Sequence, residues 1–420
     1  MKQICLSLAL LFCLLLIGSC TMQGSAVTQP PVTPTPPQPT EPDAVPTESP
    51  EADPTPPPTA PAPSPPVGPD DTPADAPAPE ASPQPDAAEL RLARMTQQEK
   101  ARQMIMLCSS DEEEVAQAAS LGAGGICLYA SSFADKDWDE VVAMTAALQE
   151  AAPLPLLLAV DEEGGTVCRV SFNAKLRQTP FAAPRFLYEQ GGWPLIESDA
   201  EEKSDLLLAL GLNVNLAPVA DVPLTWSNYI YARSFSTDPD ETAEYIRRVV
   251  TVMRREGIGC TLKHFPGYGG SADTHTGMAY DDRPLSAFTE GDFLPFSAGI
   301  EAGADAVLVS HNIVRCMDPD QPASLSPEVH RILREELGFE GVVLCDDLHM
   351  NAIGQFTGGE NAAVAAALAG NDLLCCGDFE ACSEALLAAM EDGRLSEEQV
   401  DASVLRILRW KLSLGLDIEA

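Results

Sequence analysis

Ile258-Gly259-Cys260-Thr261-Leu262-Lys263-His264-Phe265-Pro266-Gly267-Tyr268-Gly269-Gly270-Ser271-Ala272-Asp273-Thr274-His275 joins a short apolar run to a glycine-rich turn crowded with ionisable groups. Ile258 to Leu262 reads as a buried strand, which puts Lys263 and His264 at its C-terminal end. Gly267, Gly269 and Gly270 then rule out regular structure and make the continuation a loop. In Asp273-Thr274-His275 an extended backbone sends residues i and i+2 to one face, so the carboxylate can touch the imidazole. An Asp bonded to one ring nitrogen fixes the tautomer and raises the basicity of the other, which is the arrangement of a general acid/base.

Seven more runs of the same kind surround this one. They are Met104 to Cys108, Gly125 to Tyr129, Leu156 to Val160, Val214 to Pro218, Ala306 to Val309, Val342 to Cys345 and Asp372 to Cys375. All are apolar throughout instead of alternating, and helix-sized segments such as Trp138 to Glu150, Asp240 to Glu256 and Pro327 to Leu337 separate them. Strands buried on both faces and joined by helices predict an α/β fold, a closed parallel (β/α)8 TIM-like barrel. An open doubly wound sheet would need a phosphate-binding glycine turn after its first strand, and none is present. Folded structure starts near Leu90, with Thr96-Gln97-Gln98-Glu99 as a capping box. In a barrel, functional groups collect at the C-terminal strand ends. The polar residues closing the runs should therefore converge: Asp161-Glu162-Glu163-Gly164-Gly165, Asp221, Lys263-His264, Ser310-His311 and Asp346-Asp347.

The rest of the 420 residues frames that domain. Roughly two thirds of the 37 prolines lie between Gln29 and Pro85, a stretch with Asp and Glu but no Lys or Arg and no apolar periodicity. Such a composition cannot bury a core and reads as a disordered linker. The expected organisation is a lipoprotein signal peptide over 1–19, the Pro/Ala/Asp-rich linker over 20–88 and one catalytic domain over 89–420. The apolar run Leu6 to Ile17 is short for a membrane span and has the shape of a signal peptide. Ile17-Gly18-Ser19-Cys20 looks like a bacterial lipobox, in which Cys20 is lipidated and anchors the chain to the outer face of the cell membrane. The polyproline-like tether beyond it would reach on the order of 200 Å at full extension. A net charge of -38 argues against nucleic acid, whose phosphates need Lys and Arg. The twelve cysteines are scattered without repeated spacing, and those in strands (Cys108, Cys127, Cys260, Cys345, Cys375 and Cys376) read as buried free thiols.

Lys263-His264-Phe265-Pro266-Gly267 with its downstream Asp-x-His resembles the signature of glycoside hydrolase family 3, in its single-domain β-N-acetylglucosaminidase branch. Gly341-Val342-Val343-Leu344-Cys345-Asp346-Asp347-Leu348 is similar to the family's nucleophile strand, which implies that Asp346 is the nucleophile and that His275, oriented by Asp273, is the acid/base. Asp161-Glu162-Glu163-Gly164-Gly165-Thr166-Val167-Cys168-Arg169 and Ala232-Arg233-Ser234-Phe235 match further segments. They imply that Asp161, Arg169 and Arg233 contact the sugar together with Lys263 and His264. Tyr268 stands where the family often has His, and the loop from Lys263 to Asp273 is one residue shorter than the common form. Multidomain relatives usually draw a carboxylic acid/base from outside the barrel; with only a helical tail after the eighth run, it is expected here from a barrel loop. The resemblance implies a retaining exo-β-N-acetylglucosaminidase, a β-N-acetylhexosaminidase acting on peptidoglycan fragments or related glycans, without cofactor or metal and as a monomer. The alternatives are a β-glucosidase or β-xylosidase of the same family and a glycan-binding lipoprotein that does not cleave. A metal-dependent hydrolase would need clustered His ligands, and the chain has five His with no such cluster.

Overall fold

The structure, a computed structural model, describes residues 85–270, 279–349, 353 and 355–419. All eight apolar runs contain a strand: β1 Ile105–Cys108, β2 Gly125–Cys127, β3 Leu157–Val160, β4 Val214–Asn215, β5 Gly259–Phe265, β6 Ala306–Val309, β7 Val342–Cys345 and β8 Leu374–Cys376. Every pairing is parallel and neighbours follow chain order, with β8 against β1. The ring is drawn together where Leu344 of β7 bridges Leu373, just ahead of β8. There the Cys345 amide donates to the Leu373 carbonyl over 3.2 Å and the Asp372 amide to the Val343 carbonyl over 2.8 Å. This is the expected barrel. The strands carry no exposed face: β3, β5, β6 and β7 are buried at every residue, which is why their sequences do not alternate.

The helices wrap this core. Thr96 and Glu99 form the expected capping box on the helix Gln97–Gln103, and Asp137 with Glu140 does the same for Trp138–Ala151. Pro239–Glu256 starts on an Asp238 cap and ends on Gly257 in the left-handed conformation. It turns Tyr245, Ile246, Val249, Val250 and Met253 inward at helical spacing. At the start of the described chain, Asp86 caps the helix Ala87–Leu92, and Arg409 of the last helix pairs with both Asp86 and Glu89. Among the described residues no helix is long and apolar enough to cross a membrane.

The last helix, Glu397–Ser413, also buries a lysine. Lys411 is fully enclosed and donates over 2.7 Å to Oε1 of Gln103, whose amide in turn donates to the Gly122 and Ala123 carbonyls. Burial pushes this ammonium down to about 7. The unfolded chain, with its lysine near 10.5, therefore binds more protons than the folded one between about pH 7 and pH 10, so stability rises with pH across that window. The expected result is that the wild type gains on the order of 1 kcal/mol per pH unit relative to Lys411→Met between pH 7 and pH 9. Thermal unfolding of both proteins over that range checks it; parallel curves would remove the claim.

Candidate active site

The sugar-sized opening lies where the barrel rule puts it. A cavity of about 330 Å3 at the C-terminal mouth takes a residue from every strand or its exit: Cys108, Cys127, Asp161, Leu216, Lys263 with His264, Leu308, Asp346 with Asp347, and Cys375, for β1 to β8 in turn. Arg169, Arg233, Tyr129 and Tyr229 close its sides. A larger cavity of about 700 Å3 opens at the opposite end, beside Asp305 and Gly341. Its arginines are engaged in ion pairs, Arg334 and Arg406 sharing Asp372 and Arg409 meeting Asp86 and Glu89.

At the mouth the charges are organised around a buried lysine. Lys263, 2 % exposed, places Nζ 2.6 Å from Asp161 Oδ1 and 2.6 Å from Glu163 Oε1. Glu163 also accepts a forked pair from Arg233, Nε to Oε2 at 2.9 Å and Nη2 to Oε1 at 2.6 Å. Burial by itself would raise the Glu163 carboxyl, but the two cations hold it well below the usual carboxylate range. For Lys263 burial works downward, and Asp161 and Glu163 outweigh it and raise the ammonium. Both partners are therefore charged at neutral pH, and two of the lysine's three N–H donors are committed. Arg169 reaches Asp161 more loosely, at 3.4 Å.

His264 is locked in one tautomer. Its Nδ1 lies 2.6 Å from Asp221 Oδ2, and Arg233 Nη2 lies 3.2 Å from Nε2. A guanidinium can only donate, so Nε2 accepts and Nδ1 carries the proton toward Asp221. Asp221 also accepts the His264 amide at 3.1 Å and the Tyr268 amide at 2.7 Å, which ties the first turn of the glycine loop to the end of β4. Tyr268 is buried and stands edge-on to the His264 ring, with centroids 5.1 Å apart.

Asp346 leaves β7 half-buried at the cavity wall, its Oδ1 accepting the Asp347 amide at 3.0 Å. Behind it, buried His311 donates from Nε2 to the Asp347 carbonyl at 3.0 Å while Nδ1 takes a 2.7 Å bond from Ser324. This pair fixes the backbone that presents Asp346. Asp347 accepts the His349 amide at 2.9 Å, a turn-capping role.

The structure thus brings together six expected site residues, Asp161, Arg169, Arg233, Lys263, His264 and Asp346. Asp273, His275 and Cys20 lie outside the described residues. Of the strand-end groups expected to converge, Asp221 and His311 support neighbours from behind, and Glu162 turns inward to the amides of Arg169 and Val170 at 2.8 Å and to the Ser171 hydroxyl. Gly164 and Gly165 both adopt positive φ, and a side chain on Gly164 would overlap the Ala182 carbonyl. Glu163 was missed as a partner of Lys263 and Arg233; so were Tyr129, whose hydroxyl lies 3.4 Å from Asp347, and three cavity-lining thiols. All nine cysteines among the described residues are free, Cys316 alone of them exposed. Among the described residues no group of three or more His, Cys, Asp or Glu side chains is arranged to hold a metal ion.

Comparison with known proteins agrees with the barrel fold. Residues 96–410 match the model described as the glycosyl hydrolase family 3 N terminal domain. A beta-hexosaminidase of Xanthomonas campestris pv. campestris (strain B100) is 37% identical over 231 residues, which cover 54% of this chain and 69% of that protein. The structure of a glycoside hydrolase family 3 beta-N-acetylglucosaminidase from Paenibacillus sp. str. FPU-7 superposes with a TM-score of 0.72 at 32% identity. That match covers 78% of this chain and 64% of the other. A family 3 glycosyl hydrolase of Mycobacterium smegmatis str. MC2 155 gives 0.69 at 30% identity, covering 76% of this chain and 98% of that one.

Proposed function

The chain belongs to glycosyl hydrolase family 3, and from that premise we propose that it is a retaining exo-β-N-acetylglucosaminidase which removes terminal β-linked N-acetylglucosamine. One observation carries the proposal: Asp346 and the cluster Asp161, Arg169, Arg233, Lys263 and His264 line a single cavity at the strand ends. Carboxylates and forked cations are what the vicinal hydroxyls of a terminal sugar require, and a carboxylate beside them can attack C1.

In this reaction the sugar enters with its hydroxyls against Asp161, Arg169 and the remaining N–H of Lys263. Glu163 keeps Lys263 and Arg233 in place, so the sugar meets donors already aimed. An Asp346 oxygen forms a bond to C1 as the glycosidic C–O bond breaks, and His275 delivers its proton to the departing oxygen. The glycosyl-enzyme is then opened by water, which gives a proton back to His275 and bonds to C1 as the Asp346 ester breaks. Two inversions return the β configuration. Asp273 orients the imidazole throughout. The names of the Xanthomonas and Paenibacillus relatives support the N-acetylated sugar. The Pro-rich tether and the lipobox-like Ile17-Gly18-Ser19-Cys20 support an enzyme anchored through lipid on Cys20 outside the cell membrane, working on peptidoglycan fragments or related glycans.

Rates on matched chromogenic β-N-acetylglucosaminide and β-glucoside substrates test the sugar. A preference for the N-acetylated substrate is expected, and a preference for the glucoside would make the chain a β-glucosidase. For the acid/base, His275→Ala is expected to lower kcat about 10²- to 10⁴-fold on alkyl and sugar leaving groups, with little loss on 2,4-dinitrophenyl glycosides that leave unaided. Equal loss across leaving groups would refute that role.

A further inference from the structure

The turn that brings Glu163 to the cavity is followed at once by two glycines, which give it no direction of its own. Gly164 and Gly165 have φ of 99° and 69°, a backbone that pivots more freely than one carrying side chains. Yet the Glu163 carboxylate has to face Lys263 and Arg233, while its neighbour Glu162 turns the other way, to the amides of Arg169 and Val170. Two side chains from outside the turn hold the adjacent peptides. Asn215, at the end of β4, grips Glu162 on both sides, its Oδ1 accepting the amide at 3.0 Å and its Nδ2 donating to the carbonyl at 3.1 Å. Lys203, from the helix Pro184–Ala209, donates from Nζ to the Glu163 carbonyl at 3.1 Å.

Lys203 is itself fixed in place. It is buried, pairs with Asp199 one helical turn earlier at 2.5 Å, and sets its ammonium 5.2 Å from the centre of the Phe181 ring. The same region closes on the glycines: the Gly165 amide donates to the Phe181 carbonyl at 2.8 Å, and a Cβ on Gly164 would come within 3.3 Å of Lys203 Nζ. Lys203 does not line the sugar cavity. Its reach into the site is the Glu163 peptide, whose side chain lies 2.6 Å from Lys263 Nζ and takes the fork from Arg233. Without the ammonium the buried carbonyl loses this donor, and the glycines leave the turn free to move in search of another.

We propose that Lys203 is a positioning residue for sugar binding: by holding the Glu163 carbonyl it aims the Glu163 carboxylate, and so sets Lys263 and Arg233 where the sugar hydroxyls meet them. The proposal rests on the reading of Asp161, Arg169, Arg233, Lys263 and His264 as the sugar site made above. Asp346 stands apart from this chain of contacts. It leaves β7 on a backbone fixed by His311 and Ser324, so loosening the Glu163 turn weakens the hold on the sugar and spares the bond-breaking step.

The test is made on the full-length chain with the wild type, Lys203→Met, Glu163→Gln, their double variant and Arg169→Met as the reference for a lost sugar contact. N-acetylglucosamine binding is read as an inhibition constant, beside KM and kcat on 2,4-dinitrophenyl and alkyl N-acetylglucosaminides. Lys203→Met is expected to weaken N-acetylglucosamine binding and raise KM about tenfold, with kcat within about threefold of the wild type on both leaving groups. Because the lysine acts through Glu163, adding Lys203→Met to Glu163→Gln is expected to weaken binding by less than about twofold more. Should Lys203→Met fail to fold, Lys203→Met with Asp199→Asn removes both buried charges together and takes its place, with the same expectation. Weaker binding in Arg169→Met but unchanged binding in the Lys203 variant, or independent losses in the double variant, would overturn the positioning role and leave the sugar site standing. A fall in kcat with KM unchanged would overturn it as well, since that is the mark of fewer folded molecules. Unchanged binding in Arg169→Met would remove the sugar-site reading and this proposal with it.

Discussion

Asp346→Asn is expected to lower kcat by about 10⁴-fold or more on every leaving group, activated or not, because the covalent intermediate can no longer form. That independence from the leaving group separates it from loss of the acid. Binding of N-acetylglucosamine should change by no more than a few-fold, since the hydroxyl contacts come from the ends of β3 and β5 and from Arg233. The neighbour provides an internal control. Asp347 caps the turn through the His349 amide and offers its carbonyl to His311, so Asp347→Asn keeps most of those bonds and should lose far less than Asp346→Asn. Kinetics of the two variants on 2,4-dinitrophenyl and alkyl glycosides check the contrast. Reversal of their order would move the nucleophile to Asp347.

Lys263→Met should produce the largest loss of stability at the site. The change preserves the stem but leaves Asp161 and buried Glu163 without the ammonium that lies 2.6 Å from each. Removing one partner of a buried ion pair costs roughly 3–5 kcal/mol, because the remaining charge stays in a poorly solvated place. Glu163 keeps its fork from Arg233, so the lower end of that range is the expectation. Glu163→Gln should cost less in the Lys263→Met background than in the wild type, because the ammonium it pairs with is already gone and only the fork from Arg233 is left to lose; the coupling can be read from a double-mutant cycle of unfolding free energies. Additive losses would mean that the lysine and the glutamate are not energetically paired. Activity should be low in both the single and the double variant, since the sugar loses the Lys263 donor in either protein.

The barrel was legible because strands buried on both faces leave continuous apolar runs, and eight such runs announce eight strands. The edges of those runs were less clear. Asp372 was read as the start of the eighth strand, which begins at Leu374; its carboxylate instead gathers Arg334, Arg406, Ser403 and the Val343 amide at the bottom of the barrel. Leu128 and Tyr129 continue an apolar run but already belong to the turn into the helix Ala130–Phe133. The parallel pair Tyr280–Asp281 and Ile313–Val314 is two residues on each side, too short for any periodic signal. At the site, Asp161, Lys263, His264 and Asp346 stood out because a charge closing an apolar run has one plausible destination in a barrel. Glu162 and Glu163 could not be told apart in advance. They are adjacent, and only the turn at Gly164 and Gly165 decides that the first faces the amides of Arg169 and Val170 and the second faces Lys263. Lys203 gave no signal at all, since its meaning lies in a backbone carbonyl 40 residues away in sequence.

Trapping the covalent intermediate probes the core of the account. The full-length protein would be incubated with a slow fluorinated N-acetylglucosaminide carrying an activated leaving group, digested, and sequenced by mass spectrometry. A single sugar adduct on the peptide containing Asp346, absent from Asp346→Asn, is the predicted result. An adduct on another carboxylate, or turnover without an adduct and with inverted product, would contradict it.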